Sequence, residues 1–259
     1  MSWPISEVKL ESISRRKSGP RYDFVERAVA AGTGYRIADD GYFIVAPPES
    51  LTPRFVVEIS LPELAGIEDY KKLSFDLNDR SSGMLWLDTS DLHAFDLAWR
   101  LRLPLRAASP LFAWTKDSKA PSDGPKINIE VPGPGHSKAV RALLDFPVWH
   151  GGQTDTAIAE HYAAKQLRIA TDDNGDVVGA AVLQTLPENF VALTISVAPD
   201  KRNQGIAGAF AAAIAAQLFK DGKTVVAGMA NDAPESFRIA NRLNMSIVRQ
   251  AFVAQLGSV

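Results

Sequence analysis

The chain has 259 residues, 46% hydrophobic and 22% charged, an ordinary globular composition with room for one large or two modest domains. A formal net charge of -2 argues against a protein that holds nucleic acid by bulk charge, and the Arg15-Arg16-Lys17 run reads as a solvated arm. The absence of cysteine excludes disulfides, thiolate metal sites and a cysteine nucleophile, and suits a reducing cytoplasm.

In chain order, the opening MSWPISEVKLESISRRK carries charges throughout and no apolar core of a signal peptide. YRIADDGYFIVAPP (35–48), RFVVEIS (54–60) and MLWLDTS (84–90) read as strands, and DLHAFDLAWRL (91–101) as a helix. Composition then breaks at DSKAPSDGPK (117–126), a run of turn formers and charges. This divides the chain into a domain over 1–118, a linker over 119–125 and a domain over 126–259.

Beyond the break, INIEV (127–131) alternates as a half-buried strand does, and helical stretches follow over 137–146 and 155–166. LRIATDDNGDVVGAAVLQTL (167–186) reads as a hairpin turning at Asn174-Gly175, residues that tolerate positive φ. FVALTISVAP (190–199) is a third consecutive strand, ended by Pro199. A helix opens at Gly205 and stops at Gly222; its apolar stretch, Ile206 to Phe219, is too short and alanine-rich to span a bilayer. TVVAGMA (224–230) is a strand, and DAPESFRIANRLNM (232–245) a helix with Asp232 as cap, Pro234 early and Glu235 three residues after the cap. SIVRQAFVAQL (246–256) is the closing strand. The expected class is mixed α/β (α+β), a largely antiparallel sheet flanked by helices, in a soluble, cytoplasmic protein.

Set AFDLAWRLRL (94–103) beside SFRIANRLNM (236–245). Phenylalanine, alanine, arginine and leucine recur at the same offsets, and in both places β-rich runs flank the helix. A diverged internal duplication, two tandem lobes, accounts for this; so does the general likeness of amphipathic helices.

The most informative stretch is VAPDKRNQGIAGAF (197–210): strand, proline, basic turn, and a glycine opening an alanine-rich helix. A bound pyrophosphate needs converging N–H donors, positive charge and no side chain in the way. A helix N-terminus supplies free amides and about half a positive charge. Gly205 lets the backbone approach closely, Ala207 keeps the first turn bare, and Arg202 adds a permanent cation. A P-loop is excluded because Gln217 stands where its first glycine belongs before DGKT, and GIAGAF does not supply a dinucleotide fingerprint.

These residues resemble the GNAT-type N-acetyltransferases, whose signature is [QR]-x-x-G-x-[GA] after a strand ending in V-x-P. Val197-Ala198-Pro199 is followed by Arg202-Asn203-Gln204-Gly205-Ile206-Ala207, and the element order of about 126–256 fits the family. The resemblance implies acetyl-CoA as co-substrate, its pyrophosphate held by the amides of Arg202, Asn203, Gln204, Gly205, Ile206 and Ala207. It implies that the pantetheine arm pairs with the strand at Ile195, Ser196 and Val197, and that Asn231 and Ser236 face the coenzyme. Asn231 as a turn residue and Ser236 as a helix-surface hydroxyl are the plainer readings.

Many relatives carry a glutamate on the central strand and a tyrosine general acid on the last helix. This sequence departs on both: FVALTISV has no carboxylate, and the tyrosine position falls on Ala240. The catalytic residues are therefore unassigned, with Ser236 a weak candidate to support the thiolate; His161, Tyr162 and Glu188 lie in segments that can border an acceptor. The histidines at 93, 136, 150 and 161 have no metal-ligand spacing, so no metal is expected. The first half lacks the signature, since LPELAGIED (61–69) offers neither a basic turn nor a glycine-opened helix. It is expected to be a degenerate lobe without a coenzyme site, an arrangement known among tandem members of the family. The resemblance implies acetyl transfer to a primary amine of a small molecule or protein terminus, with no nucleic-acid or membrane partner. A non-catalytic acyl-CoA-binding sensor is the alternative, and an aminoacyl transferase using two such lobes a third.

Overall fold

The computed structural model describes residues 3–4, 34–36, 42–45, 55–60, 67–80, 83–88, 92–116, 118, 124–144, 155–186, 189–228 and 234–256. The chain divides into two compact units, Met1–Pro110 with Arg249–Val259, and Leu111–Val248. This differs from the division at 119–125 because two strands change sides.

In the first unit, β1 (Trp3–Pro4), β2 (Gly34–Arg36), β3 (Tyr42–Val45) and β4 (Phe55–Ser60) pair antiparallel in sequence order. Helix α1 (Ile67–Arg80) then crosses over to β5 (Met84–Asp88), which lies parallel to β4. α1 is not among the elements expected above, although Tyr70, Leu73, Ser74 and Leu77, all buried, recur at helical spacing. The helix starts directly after Gly66, so a glycine does precede a helix here, contrary to expectation; what the segment lacks is the cation. Helix α2 (Leu92–Arg100) follows, burying Ala94, Leu97 and Ala98 against Phe43, Leu85 and Leu87.

In the second unit, β7 (Asn128–Glu130) precedes helices α3 (Ser137–Leu144) and α4 (Asp155–Ala163). β8 (Leu167–Thr171), β9 (Val177–Thr185) and β10 (Phe190–Val197) form an antiparallel meander with β7 at its outer side. Helix α5 (Ile206–Lys220) crosses over to β11 (Thr224–Gly228), which is parallel to β10, and α6 (Pro234–Arg242) follows. α5 buries Ile206, Phe210, Ala211, Ile214 and Ala215 on one stripe, and Phe210 is wholly buried among Val191, Leu193 and Val197 of β10. Burial of one such side chain contributes about 1.5–3 kcal/mol. The helix ends as the glycine predicts: Gly222, at φ 68, donates to Phe219 C=O at 3.1 Å while Lys223 N–H reaches Leu218 C=O at 3.0 Å. In the β8–β9 turn only Gly175 takes positive φ (83); Asn174 does not, and the Asp172 carboxylate organises the turn by accepting the N–H groups of Asn174 and Asp176.

Both units thus run antiparallel meander, helical crossover, parallel strand, helix. The likeness reaches the hydrogen bonds at the helix ends. After α2, Arg102 takes φ 53 and donates to Trp99 C=O while Leu103 N–H reaches Ala98 C=O; after α6, Asn244 takes φ 52 and donates to Asn241 C=O while Met245 N–H reaches Ala240 C=O. The next strand in each case serves the other unit. β6 (Leu105–Trp114) follows α2, and its residues Leu111–Trp114 pair antiparallel with β11. β12 (Ser246–Gln255) follows α6, and its residues Ala251–Gln255 pair antiparallel with β5.

Candidate functional site

The central feature of the second unit is an incomplete strand pairing. β10 pairs with β9 from Val191↔Thr185 to Val197↔Gly179, but with β11 only at Phe190↔Thr224, Val191↔Val225 and Ala192↔Val226. Phe190 C=O accepts Leu186 N–H, and Ala198 N–H donates to Val178 C=O, so even-numbered backbone groups face β9. The last β11 pair, Ala192↔Val226, engages Leu193 N–H, and the backbone groups of Ile195 and Val197 face the same way beyond it, with no ladder partner among the described residues. Both backbone groups of Ile195 and the N–H of Val197 therefore offer a strand edge to an extended ligand, while Val197 C=O is held by Arg202 and the backbone of Ser196 is turned to β9.

The basic turn follows. Pro199–Lys201 forms a single 3-10 turn closed by Lys201 N–H on Ala198 C=O. Arg202 is extended (φ -69, ψ 161), Asn203 is left-handed (φ 63) and Gly205 left-handed (φ 80). α5 then begins without a side-chain cap, its first bond being Ala209 N–H to Gly205 C=O at 3.0 Å. Among the described residues, no partner is found for the N–H groups of Asn203, Gln204, Gly205, Ile206, Ala207 and Gly208. Six donors left open on one turn cost stability unless solvent or a ligand takes them. Arg202 Nε donates to Val197 C=O at 3.2 Å, which fixes the guanidinium beside them. Lys201 is paired with Asp172 at 3.8 Å, so its charge is partly spent within the chain.

Two residues of the expected linker belong to this site. Gly124 lies against Ala209 in the first turn of α5, and Pro125 against Gly205. The turn-former composition that marked a boundary hid this contact.

Asn231 and Glu188 lie outside the described residues. Ser236, half-buried, is the third residue of α6. Ala240, at the position of the family's tyrosine, is fully buried against Phe112, with Phe237 packed alongside. The opposite face of β10 carries Thr194 and Ser196, which sit beside Val182 and Ala180 of β9. Those two pack with Val140 and Leu144 of α3, Ile158 of α4 and Tyr162. Tyr162 has a buried hydroxyl without a partner, and burial pushes its pKa up. His161 Nδ1 is bound to Gln166 Oε1 at 2.7 Å, and His136 Nδ1 accepts Gly133 N–H at 3.1 Å, so both serve the chain's own turns.

Residues 140–237 match the model of the acetyltransferase (GNAT) family. No curated protein matches the sequence. Among solved structures, the acetyltransferase from the GNAT family of Colwellia psychrerythraea superposes with a TM-score of 0.77 at 14% identity, covering 98% of this chain and 99% of that one. The GCN5-related N-acetyltransferase of Sphaerobacter thermophilus gives 0.66 at 15% identity, over 99% and 95%. A tandem GNAT protein from the clavulanic acid biosynthesis pathway gives 0.63 at 11% identity, over 100% and 99%. At these identities the likeness is one of fold, and it extends over the whole chain.

Proposed function

We propose that the protein is an acyl-CoA-dependent N-acetyltransferase whose second unit, Leu111–Val248, holds acetyl-CoA. One observation carries the reading: six unpartnered amides beside Arg202, at the end of a strand whose edge is left open beyond Leu193, at Ile195 and Val197. The amides and guanidinium suit a pyrophosphate, the open edge suits the amide-bearing pantetheine arm, and Asn231 and Ser236 would border the coenzyme.

The amine nitrogen attacks the thioester carbonyl directly, and coenzyme A leaves as the thiol, carrying away a proton. Holding the partners together is worth about 7–11 kcal/mol in such reactions. Deprotonating a lysine-like amine at pH 7 costs about 4–5 kcal/mol, against about 1 kcal/mol for an α-amine. With no carboxylate on β10, an α-amine or another weakly basic primary amine, on a small molecule or protein terminus, is the acceptor class the site serves best. The first unit is read as a degenerate GNAT-like lobe without a coenzyme site.

The same lack of a carboxylate on β10, together with the buried Ala240 in place of a tyrosine, favours a second reading, a non-catalytic acyl-CoA sensor. Calorimetric titration with acetyl-CoA, free coenzyme A and ATP tests the shared part. Micromolar binding of both coenzyme forms, but not ATP, is the expected result; absence of binding overturns both readings. Release of free thiol on incubation with a panel of primary amines then separates enzyme from sensor.

A further inference from the structure

The segment joining the break in composition to β7 touches the phosphate loop at two points. A β-carbon on Gly124 would lie 2.8 Å from Cβ and 3.5 Å from Cα of Ala209, closer than atoms pack. A β-carbon on Gly205 would lie 3.4 Å from Pro125 Cδ. Ala209 N–H and Gly205 C=O form the first hydrogen bond of α5. The strap therefore bears on both ends of the bond that begins the helix, and Ile127 and Ile129, packed against the α5 core, tether it from behind.

The loop needs such support. Asn203 stands at φ 63, which asparagine adopts without locking the turn there, and the following amides have no partners to hold them. Proline is stiff, so Pro125 presents a fixed surface to the turn.

We propose that Gly124 and Pro125 are positioning residues for the coenzyme's phosphates, holding the 203–208 amides in their convergent arrangement. This rests on the coenzyme reading above. It separates the two parts of the ligand: the strap bears on the phosphate loop, while the open edge of β10 serves pantetheine.

The test uses the full chain carrying Gly124→Val, Gly124→Ala or Pro125→Gly, titrated with acetyl-CoA and with S-acetylpantetheine, which lacks the pyrophosphate and adenosine. Gly124→Val is expected to weaken acetyl-CoA by at least about fivefold and acetylpantetheine by less than about twofold, with Gly124→Ala between it and wild type. Pro125→Gly, which adds no bulk, shifts the two ligands in the same unequal way and carries the test if Gly124→Val fails to fold. Equal weakening of both ligands in Pro125→Gly and in any folded Gly124 variant reveals mere loss of structure and overturns the proposal; so does wild-type acetyl-CoA affinity throughout. If the unaltered protein binds acetyl-CoA no better than acetylpantetheine, the phosphate role of the loop falls, and this proposal with it.

Discussion

Arg202 and Gly205 do different work in the same turn. The guanidinium, fixed by its bond to Val197 C=O, supplies charge; Gly205 supplies backbone shape at φ 80. Arg202→Ala is expected to weaken acetyl-CoA at least about tenfold, or about 1.4 kcal/mol. Gly205→Glu should weaken it further, because it adds a negative charge and strains a left-handed residue. Calorimetry checks both, with circular dichroism to confirm the fold. Two tyrosines make a separate prediction about stability. Burial first, and then the bond from Tyr70 to Asp96 Oδ2 at 3.0 Å, push the Tyr70 pKa above 10.0, with Arg100 opposing; burial alone raises Tyr162. The folded protein thus holds these phenolic protons more tightly than the unfolded chain. Their contribution is complete below pH 10.0 and lost as pH rises through the raised values. Tyr70→Phe is expected to cost about 1 kcal/mol, whereas Tyr162→Phe, which removes an unpartnered hydroxyl, should leave stability unchanged or raise it by about 1 kcal/mol. Urea melts at neutral pH and above pH 10 read both effects.

At the scale of elements, what the sequence showed was whatever local chemistry decides. The capping glycine at 222, the β8–β9 hairpin, the basic turn and the helix opening at Gly205 depend on residues within a few positions of one another, and each stands where its pattern placed it. α1 is only faintly legible, because Lys71, Lys72 and the exposed Phe75 between its buried positions blur the stripe. The exchange of strands was not legible at all. Nothing in β6 or β12 says which neighbour it will pair with; Leu111–Trp114 and Ala251–Gln255 are short, mostly apolar runs whose composition names no partner strand. The same holds for Gly124 and Pro125, whose partners lie some eighty residues away in sequence. The exchange yields a prediction. A fragment of residues 126–259, the domain the sequence delimits, lacks Phe112 and Trp114 and so leaves Val225 and Ala240 uncovered. That fragment is expected to show no cooperative thermal transition, whereas the full chain does; a sharp melt of the fragment would mean that β12 folds back to replace β6.

The two units share a topology and differ in what opens their crossover helices, and this bears on how many coenzymes one chain takes. α5 begins Ile206-Ala207-Gly208-Ala209 after Arg202; α1 begins Ile67-Glu68-Asp69-Tyr70, with no arginine or lysine in 61–66. Acidic residues in a helix's first turn complement its dipole and stabilise it, but they repel a pyrophosphate at the same spot. Tyr70, only 4% exposed, is also tied to α2 through Asp96, which is itself bound by Arg100, and the guanidinium stacks 4.8 Å from the ring centroid. One acetyl-CoA per chain is therefore expected, read as the stoichiometry of the calorimetric titration. Arg202→Ala should reduce that single site and reveal no second one. A stoichiometry of two, or residual tight binding in Arg202→Ala, would show that the first unit holds coenzyme without a cation at its helix start.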